Sequence, residues 1–162
     1  MNVHEYFFTS LTGGSLPLSN YSGQPILIVN TASACGYTPQ YRKLQLLWED
    51  YKEGGLVIVG IPSNDFGEQE PEDEATIAEF CSVNYKVSFP MTGKQHVTGR
   101  MAHPLFVALR EEVGEDAIPR WNFCKYLFDR QGELLDYWPS ATEPDDPMIT
   151  HQIERNLQSW IL

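Results

Sequence analysis

The chain is predicted to be an α/β protein, a small mixed sheet covered by helices on both faces. Three observations predict it. Two continuous apolar runs, residues 26 to 31 and 56 to 61, lack the polar alternation of a half-exposed strand and read as strands buried on both faces. Tyr41, Leu44, Leu47, Trp48 and Tyr51 recur at helical spacing between them. Strand, helix and strand within about 35 residues form a βαβ unit, which makes the two strands parallel with a right-handed crossover. Further on, residues 123 to 129 and 133 to 138 read as two strands joined by Arg130-Gln-Gly132, an antiparallel hairpin.

In chain order, residues 6 to 18 read as a short hairpin turning at Gly13-Gly14, a pair that accepts positive φ at little cost. Residues 21 to 25 are a loop. After the first buried strand, Thr38 is expected as the helix N-cap with Pro39 at the first helical position, and Gly54-Gly55 ends that helix. Residues 62 to 74 form a polar loop, and 74 to 85 a helix with Ile77, Ala78 and Cys81 on one face. Residues 87 to 91 are a short extended piece limited by Pro90. His103-Pro104 leads into a helix over 105 to 112, with Leu105, Phe106 and Leu109 inward. Residues 139 to 147 are turn-rich. Residues 148 to 162 are an amphipathic helix with Ile149, Ile153, Leu157 and Trp160 or Ile161 as its stripe. No repeat, low-complexity tract or linker divides the chain, so residues 1 to 162 are expected to be one domain. This order of elements describes a thioredoxin-like three-layer α/β/α sandwich with a mixed central sheet and an N-terminal β-hairpin.

Composition narrows the function. A hydrophobic fraction of 42% and a charged fraction of 20% are ordinary for a globular chain. A net charge of −11 argues against nucleic acid and anionic membrane surfaces as partners. The start of the chain lacks the basic and apolar regions of a secretory signal, and no apolar run approaches the roughly 18 residues of a spanning helix. A cytoplasmic location without stable membrane insertion is expected. Three scattered cysteines, Cys35, Cys81 and Cys124, are not a secreted disulfide framework, and there is no Cys-x-x-Cys. Four histidines, none paired at i, i+4 and none near a cysteine in sequence, argue against a metal site. No metal and no bound cofactor are expected.

The residue around which the chain is organised is Cys35. A cysteine inside a strand is usually a small buried hydrophobe. Cys35 instead follows the end of the first buried strand and precedes a helix, where backbone N–H groups and the helix dipole favour a reactive thiolate. In open α/β sheets the site lies at the carboxyl ends of parallel strands, and Cys35 and the Ser63-Asn64 loop follow the two such ends. Gln69 in that loop and Trp121-Asn122 before the final hairpin would each, alone, pass as ordinary loop, core or cap residues. Together they offer two amides and an indole N–H, neutral donors that can stabilise a thiolate and polarise a peroxide without adding a base.

The segment Leu27-Ile-Val-Asn-Thr-Ala-Ser-Ala-Cys35-Gly-Tyr-Thr-Pro-Gln-Tyr41 resembles the active-site signature of the glutathione peroxidase family. Pro62-Ser-Asn-Asp-Phe-Gly-Glu-Gln-Glu-Pro71 resembles its second motif and Trp121-Asn-Phe123 its third, with Phe89-Pro-Met91 and His103-Pro-Leu-Phe106 also matching. The resemblance spans essentially the whole chain. It implies that Cys35 is the peroxidatic residue and that Gln69, Trp121 and Asn122 complete a catalytic tetrad. It also implies reduction of hydrogen peroxide and organic or lipid hydroperoxides, through a sulfenic acid that thiols then reduce. Ser63 and Asp65 depart from the family's usual Cys and Gln, and Glu72 stands where glycine is usual. Asp65 is expected to point to solvent.

Cys81 matches the resolving position of family members that form an internal disulfide and are reduced by thioredoxin. A Cys35–Cys81 disulfide needs Cα atoms within about 7 Å. The segment 74 to 85 is therefore expected to loosen on oxidation. Otherwise Cys81 is a core thiol packed with Ile77, and Cys124, inside a strand, is a packing residue. Glutathione is the alternative reductant, although no Lys/Arg cluster is evident to hold it. The short stretch between Phe106 and Trp121 is unlike tetrameric members and suggests a monomer or weak dimer. The expected activity is that of a thiol peroxidase recycled by thioredoxin. The rivals are a glutathione-dependent enzyme using Cys35 alone, a general thiol–disulfide oxidoreductase, and a peroxide sensor relaying oxidation to a partner protein.

Overall fold

The computed structural model describes residues 1–157. A hairpin of β1 (Phe7–Thr9) and β2 (Ser15–Pro17) lies outside the main sheet. The main sheet has the order β4-β3-β5-β6, built from β3 (Ile26–Thr31), β4 (Val57–Pro62), β5 (Lys125–Phe128) and β6 (Leu134–Trp138). β3 pairs parallel with β4 and antiparallel with β5, and β5 pairs antiparallel with β6, so the sheet is mixed as expected. Among the described residues four α-helices accompany the sheets: α1 (Gln40–Tyr51), α2 (Glu74–Tyr85), α3 (Pro104–Ala108) and α4 (Pro147–Arg155).

Strand periodicity divides the core in two. In β3, Leu27 and Val29 face a cluster with Tyr41, Leu44 and Leu47 of α1, Ile77 of α2, and Ile149 and Ile153 of α4. Ile26 and Ile28 face the other cluster, with Phe8, Leu18, Leu105, Phe106 and Leu109. Each such fully buried aliphatic side chain contributes about 2 kcal/mol over its exposed state, an upper-bound reckoning. Burial on both faces is why the two runs show no polar alternation.

Several boundaries differ from the sequence reading, each for a local reason. Thr38 does not cap α1. Its hydroxyl accepts from the Cys35 N–H and donates to the Ala32 carbonyl, so α1 begins after Pro39, which has helical φ and ψ and makes no side-chain cap. Residues 87 to 91 form no strand, only an isolated bridge between Gly60 and Met91. α3 closes into a π-turn over Leu109–Val113 rather than continuing as α-helix. β5 starts at Lys125 and not at 123, because Phe123 sits at φ 63, outside the strand region. The final helix ends at Arg155, with Leu157 buried beyond it; the stripe positions Trp160 and Ile161 lie outside the described residues.

Candidate active site

The parallel strands end side by side. Thr31 and Pro62 are register partners, and the Ser63 N–H closes the pair on the Thr31 carbonyl at 3.0 Å. Beyond that point the two loops diverge, and each carries part of the site. The first loop is a tight turn around Cys35. Thr38 Oγ1 receives the Cys35 N–H at 2.9 Å, the Thr38 N–H returns to the Cys35 carbonyl at 3.0 Å, and the Tyr37 N–H donates to Cys35 Sγ at 3.3 Å. The sulfur is thus an acceptor within its own turn, and the residue is only 9% exposed.

The second loop is fastened to the first at two adjacent residues. The Ala34 N–H donates to the Gln69 carbonyl at 3.0 Å, and Ser33 Oγ donates to Glu70 Oε2 at 2.8 Å. The loop closes on itself through the Glu70 N–H on Asn64 Oδ1 at 2.8 Å. Gly67 and Glu68 both take left-handed backbone at its tip. Glu70 is buried, and burial raises its carboxyl above the usual range, with the Ser33 hydrogen bond working in the opposite direction. Asp65 does not point to solvent. Its carboxylate accepts from the Val97 N–H at 2.7 Å, the Thr98 N–H at 3.2 Å and His96 Nδ1 at 2.7 Å, so it clasps the second-motif loop to residues 96–98. A carboxylate finding two backbone donors is held where solvent exposure alone would not hold it.

The third segment is anchored by Asn30. Its Nδ2 donates to the Trp121 carbonyl at 2.8 Å, and its Oδ1 accepts the Cys124 N–H at 2.9 Å. Those bonds support the turn in which Phe123 has positive φ. The turn places Asn122 fully inside, with Nδ2 donating to Gln69 Oε1 at 2.9 Å. Trp121 stays 36% exposed beside Phe66, ring centroids 6.0 Å apart. The edge of its indole lies so close to Gly67 that a Cβ there would come within 2.9 Å of Trp121 Cη2. Three segments remote in sequence are therefore brought together: Cys35 through Ala34, Gln69 beside it, and Trp121-Asn122 on Gln69 and Gly67. The supporting residues Asn30, Ser33 and Glu70 escaped the sequence reading. The signal for Asn30 was a lone amide inside an otherwise apolar run.

Cys81 is not gathered into this group. It is buried on α2 in the cluster with Tyr41 and Ile77, and Cys35, Cys81 and Cys124 are all free thiols. Burial pushes the Cys81 thiol up to about 11; the nearby Tyr41 hydroxyl offsets this in part and Glu70 adds to it. Its helix packs through Ile77 and Cys81, with Ala78, Phe80 and Tyr85 partly buried against the same cluster and Tyr85 beside Tyr41. Only Ile77 and Cys81 of its twelve residues are buried, and it ends at Lys86 in left-handed backbone, whose N–H and that of Val87 both close on the Cys81 carbonyl. Cys124 faces the Trp121 carbonyl, to which its thiol donates at 3.4 Å. Among the described residues no cluster of His, Cys, Asp and Glu could hold a metal ion, and no helix is long and apolar enough to cross a membrane.

Fold and site together define a thioredoxin-like oxidoreductase with a cysteine at the end of the first parallel strand. Residues 3–110 match the family model described as glutathione peroxidase. The chain is 46% identical over 147 residues to a glutathione peroxidase homolog of Halalkalibacterium halodurans, covering 89% of this chain and 93% of the relative. It is 39% identical over 163 residues to a hydroperoxy fatty acid reductase of Synechocystis, covering 96% and 95%. The crystal structure of Trgpx in apo form superposes with a TM-score of 0.76 at 32% identity, covering 96% of this chain and 95% of that one. The chain belongs to the glutathione peroxidase family and is a thiol peroxidase. Trp121 and Asn122 fall beyond the residues that the family model matches.

Proposed function

We propose that Cys35 is the peroxidatic thiol, that Gln69, Trp121 and Asn122 are its donors, and that Cys81 resolves the oxidised form for reduction by thioredoxin. One observation carries the donor assignment: the path Ala34–Gln69–Asn122, which fastens the Gln69 backbone to the Cys35 turn and the Asn122 amide to the Gln69 side chain. Gln69 Oε1 is occupied by Asn122, so Gln69 presents its amide hydrogens as donors. In the first step the Cys35 thiolate attacks one peroxide oxygen. An S–O bond forms, the O–O bond breaks, and the departing alkoxide or hydroxide takes a proton to leave as alcohol or water. Donors fixed in advance around the departing oxygen lower the barrier without reorganising.

In the second step Cys81 sulfur attacks the Cys35 sulfenic sulfur. The S–S bond forms, the hydroxyl leaves, and with the Cys81 proton it becomes water. A dithiol of thioredoxin then reduces the disulfide by exchange. Cys81 reaches Cys35 only if α2 opens; two of its twelve residues are fully buried, which keeps the cost of local opening below that of a core helix. Hydroperoxides, including those of fatty acids as in the Synechocystis relative, are the substrate class. The partly exposed aromatic pair Trp121 and Phe66 suits an apolar peroxide tail. The chemistry needs no bound cofactor. A cytoplasmic enzyme, monomeric or weakly dimeric, completes the reading.

The test is a pair of variants. Cys35→Ser should abolish peroxide consumption. Cys81→Ser should be oxidised once by peroxide and then stall with thioredoxin. Substantial turnover by the first sinks the site; unchanged thioredoxin-driven turnover by the second makes Cys81 a core thiol and leaves glutathione as reductant.

A further inference from the structure

Lys125 is among the largest side chains buried in full, and none of the ion pairs among the described residues involves it. Its ammonium is held by backbone carbonyls instead. Nζ donates to the Ser140 carbonyl at 3.0 Å and to the Thr142 carbonyl. The Ser140 carbonyl also accepts Gln40 Nε2 at 2.8 Å, from the first residue of α1. The Ser140 hydroxyl in turn donates to the Asn122 carbonyl. Ser140 is therefore a node on the loop between β6 and α4. It is gripped by Lys125 of β5 and by Gln40, which follows the Cys35 turn, and it grips the residue that reaches Gln69.

A buried charge is expensive unless it is paired or fully hydrogen-bonded, and an unbranched apolar side chain would fill the same strand position at less cost. Among the described residues its hydrogen-bond partners are two backbone carbonyls. What their fixation accomplishes is to lock the Ser140 loop against both halves of the site. We propose that Lys125 is a positioning residue for peroxide reduction: through Ser140 it holds the Trp121-Asn122 turn in register with the Cys35 turn. This rests on the reading of Asn122 as a donor and extends it to a residue that touches neither sulfur nor peroxide.

Two groups on neighbouring elements act on the ammonium, the adjacent Cys124 thiol and Glu143 on the following loop, and both favour its charge. Desolvation outweighs them and draws the Lys125 pKa down to about 8. As pH rises through that value the charge-assisted bonds to the two carbonyls weaken, and the node with them.

The experiment is single-turnover oxidation of Cys35 by hydrogen peroxide, measured from pH 6.5 to 9.5 in the wild type, Lys125→Met, Lys125→Arg, Ser140→Ala and Asn122→Ala. Lys125→Met should be about tenfold slower at pH 7 and should lack the decline above pH 8 that the wild type shows, with its thermal midpoint retained. Lys125→Arg should recover part of the rate and move the decline beyond the range. Ser140→Ala should be several-fold slower, and adding it to Lys125→Met should cost little more. A Lys125→Met rate equal to wild type, or a slow rate with the wild-type pH profile, overturns the positioning role. If Lys125→Met does not fold, Ser140→Ala decides: a wild-type rate overturns the proposal. A wild-type rate for Asn122→Ala would instead remove the reading on which it rests, whereas a slow Asn122→Ala beside a normal Lys125→Met removes the proposal alone.

Discussion

Gly67→Ala tests how closely the second-motif loop packs on the donors. Gly67 has φ +63, and a Cβ added there lies 2.9 Å from Trp121 Cη2, on the ring edge, and 3.4 Å from Gln69 Cγ. Left-handed backbone costs an alanine about 1 kcal/mol. Optimal carbon contacts lie near 3.5–4.0 Å, so the ring must retreat by roughly 0.5–1 Å. Misplacing a reacting group by about 1 Å costs up to 100-fold in rate, so a tenfold or greater loss is expected in the Cys35 oxidation step. The backbone term alone lowers the thermal midpoint by about 2–4 °C in a chain of this size. Gly14→Ala is the control. It has φ +81 and nothing within 4 Å of an added Cβ, and it lies in the N-terminal hairpin turn. Both variants should lose the backbone term, with Gly67→Ala losing the packing of the displaced ring in addition, but only Gly67→Ala should slow single-turnover oxidation by hydrogen peroxide, followed by quenched-flow mass spectrometry. Equal, wild-type oxidation rates in the two variants would refute the claim that close packing at Gly67 positions the donors Trp121 and Gln69.

Cys81 and Glu70 give two pH-dependent tests. With its thiol pushed up to about 11, Cys81 in the reduced protein should resist iodoacetamide at pH 7 to 9, and mild denaturant that opens α2 should accelerate its labelling before global unfolding. Labelling of native Cys81 as fast as an exposed thiol would contradict the burial argument. The raised carboxyl of Glu70 means that the folded state favours the protonated form; the stability it contributes is present below the usual carboxylate range and is lost as pH rises through the folded value. Glu70→Gln keeps an acceptor for Ser33 and removes the charge, so its thermal midpoint relative to wild type should increase as pH climbs from 4 to 8. A difference that stays flat or shrinks over that range would show that the carboxyl is not strained by burial.

Much of the fold was legible because its signals are local. The two apolar runs become β3 and β4 over nearly the residues read from sequence, since burial on both faces leaves no room for polar alternation. α2 spans the expected residues 74 to 85 because Asp73 supplies a side-chain cap to the Thr76 N–H at 2.9 Å. Where a residue's role depended on which donors and acceptors the folded loop brought to it, the local signal misled. Thr38 reads as a helix cap, but the Cys35 N–H and Ala32 carbonyl claim its hydroxyl first. Asp65 reads as a solvated loop acid, yet the donors of residues 96–98 turn it into a clasp.

By itself the sequence determined the layer architecture, the place of Cys35 after the first parallel strand, and the three motifs that resemble the glutathione peroxidase family. These follow from periodicity, turn chemistry and residue order, which are properties of short windows. Only the tertiary structure decided that Gln69 is fastened beside the Cys35 turn through Ala34, that Asn122 completes the path, and that Cys81 waits in a separate core cluster. It also decided that a lysine in an apparently ordinary strand is a buried ammonium gripping the Ser140 loop. The physical reason is shared. Long-range hydrogen bonds, apolar packing between elements and the desolvation of a charge are set by what the packed chain brings together, and no local pattern encodes them.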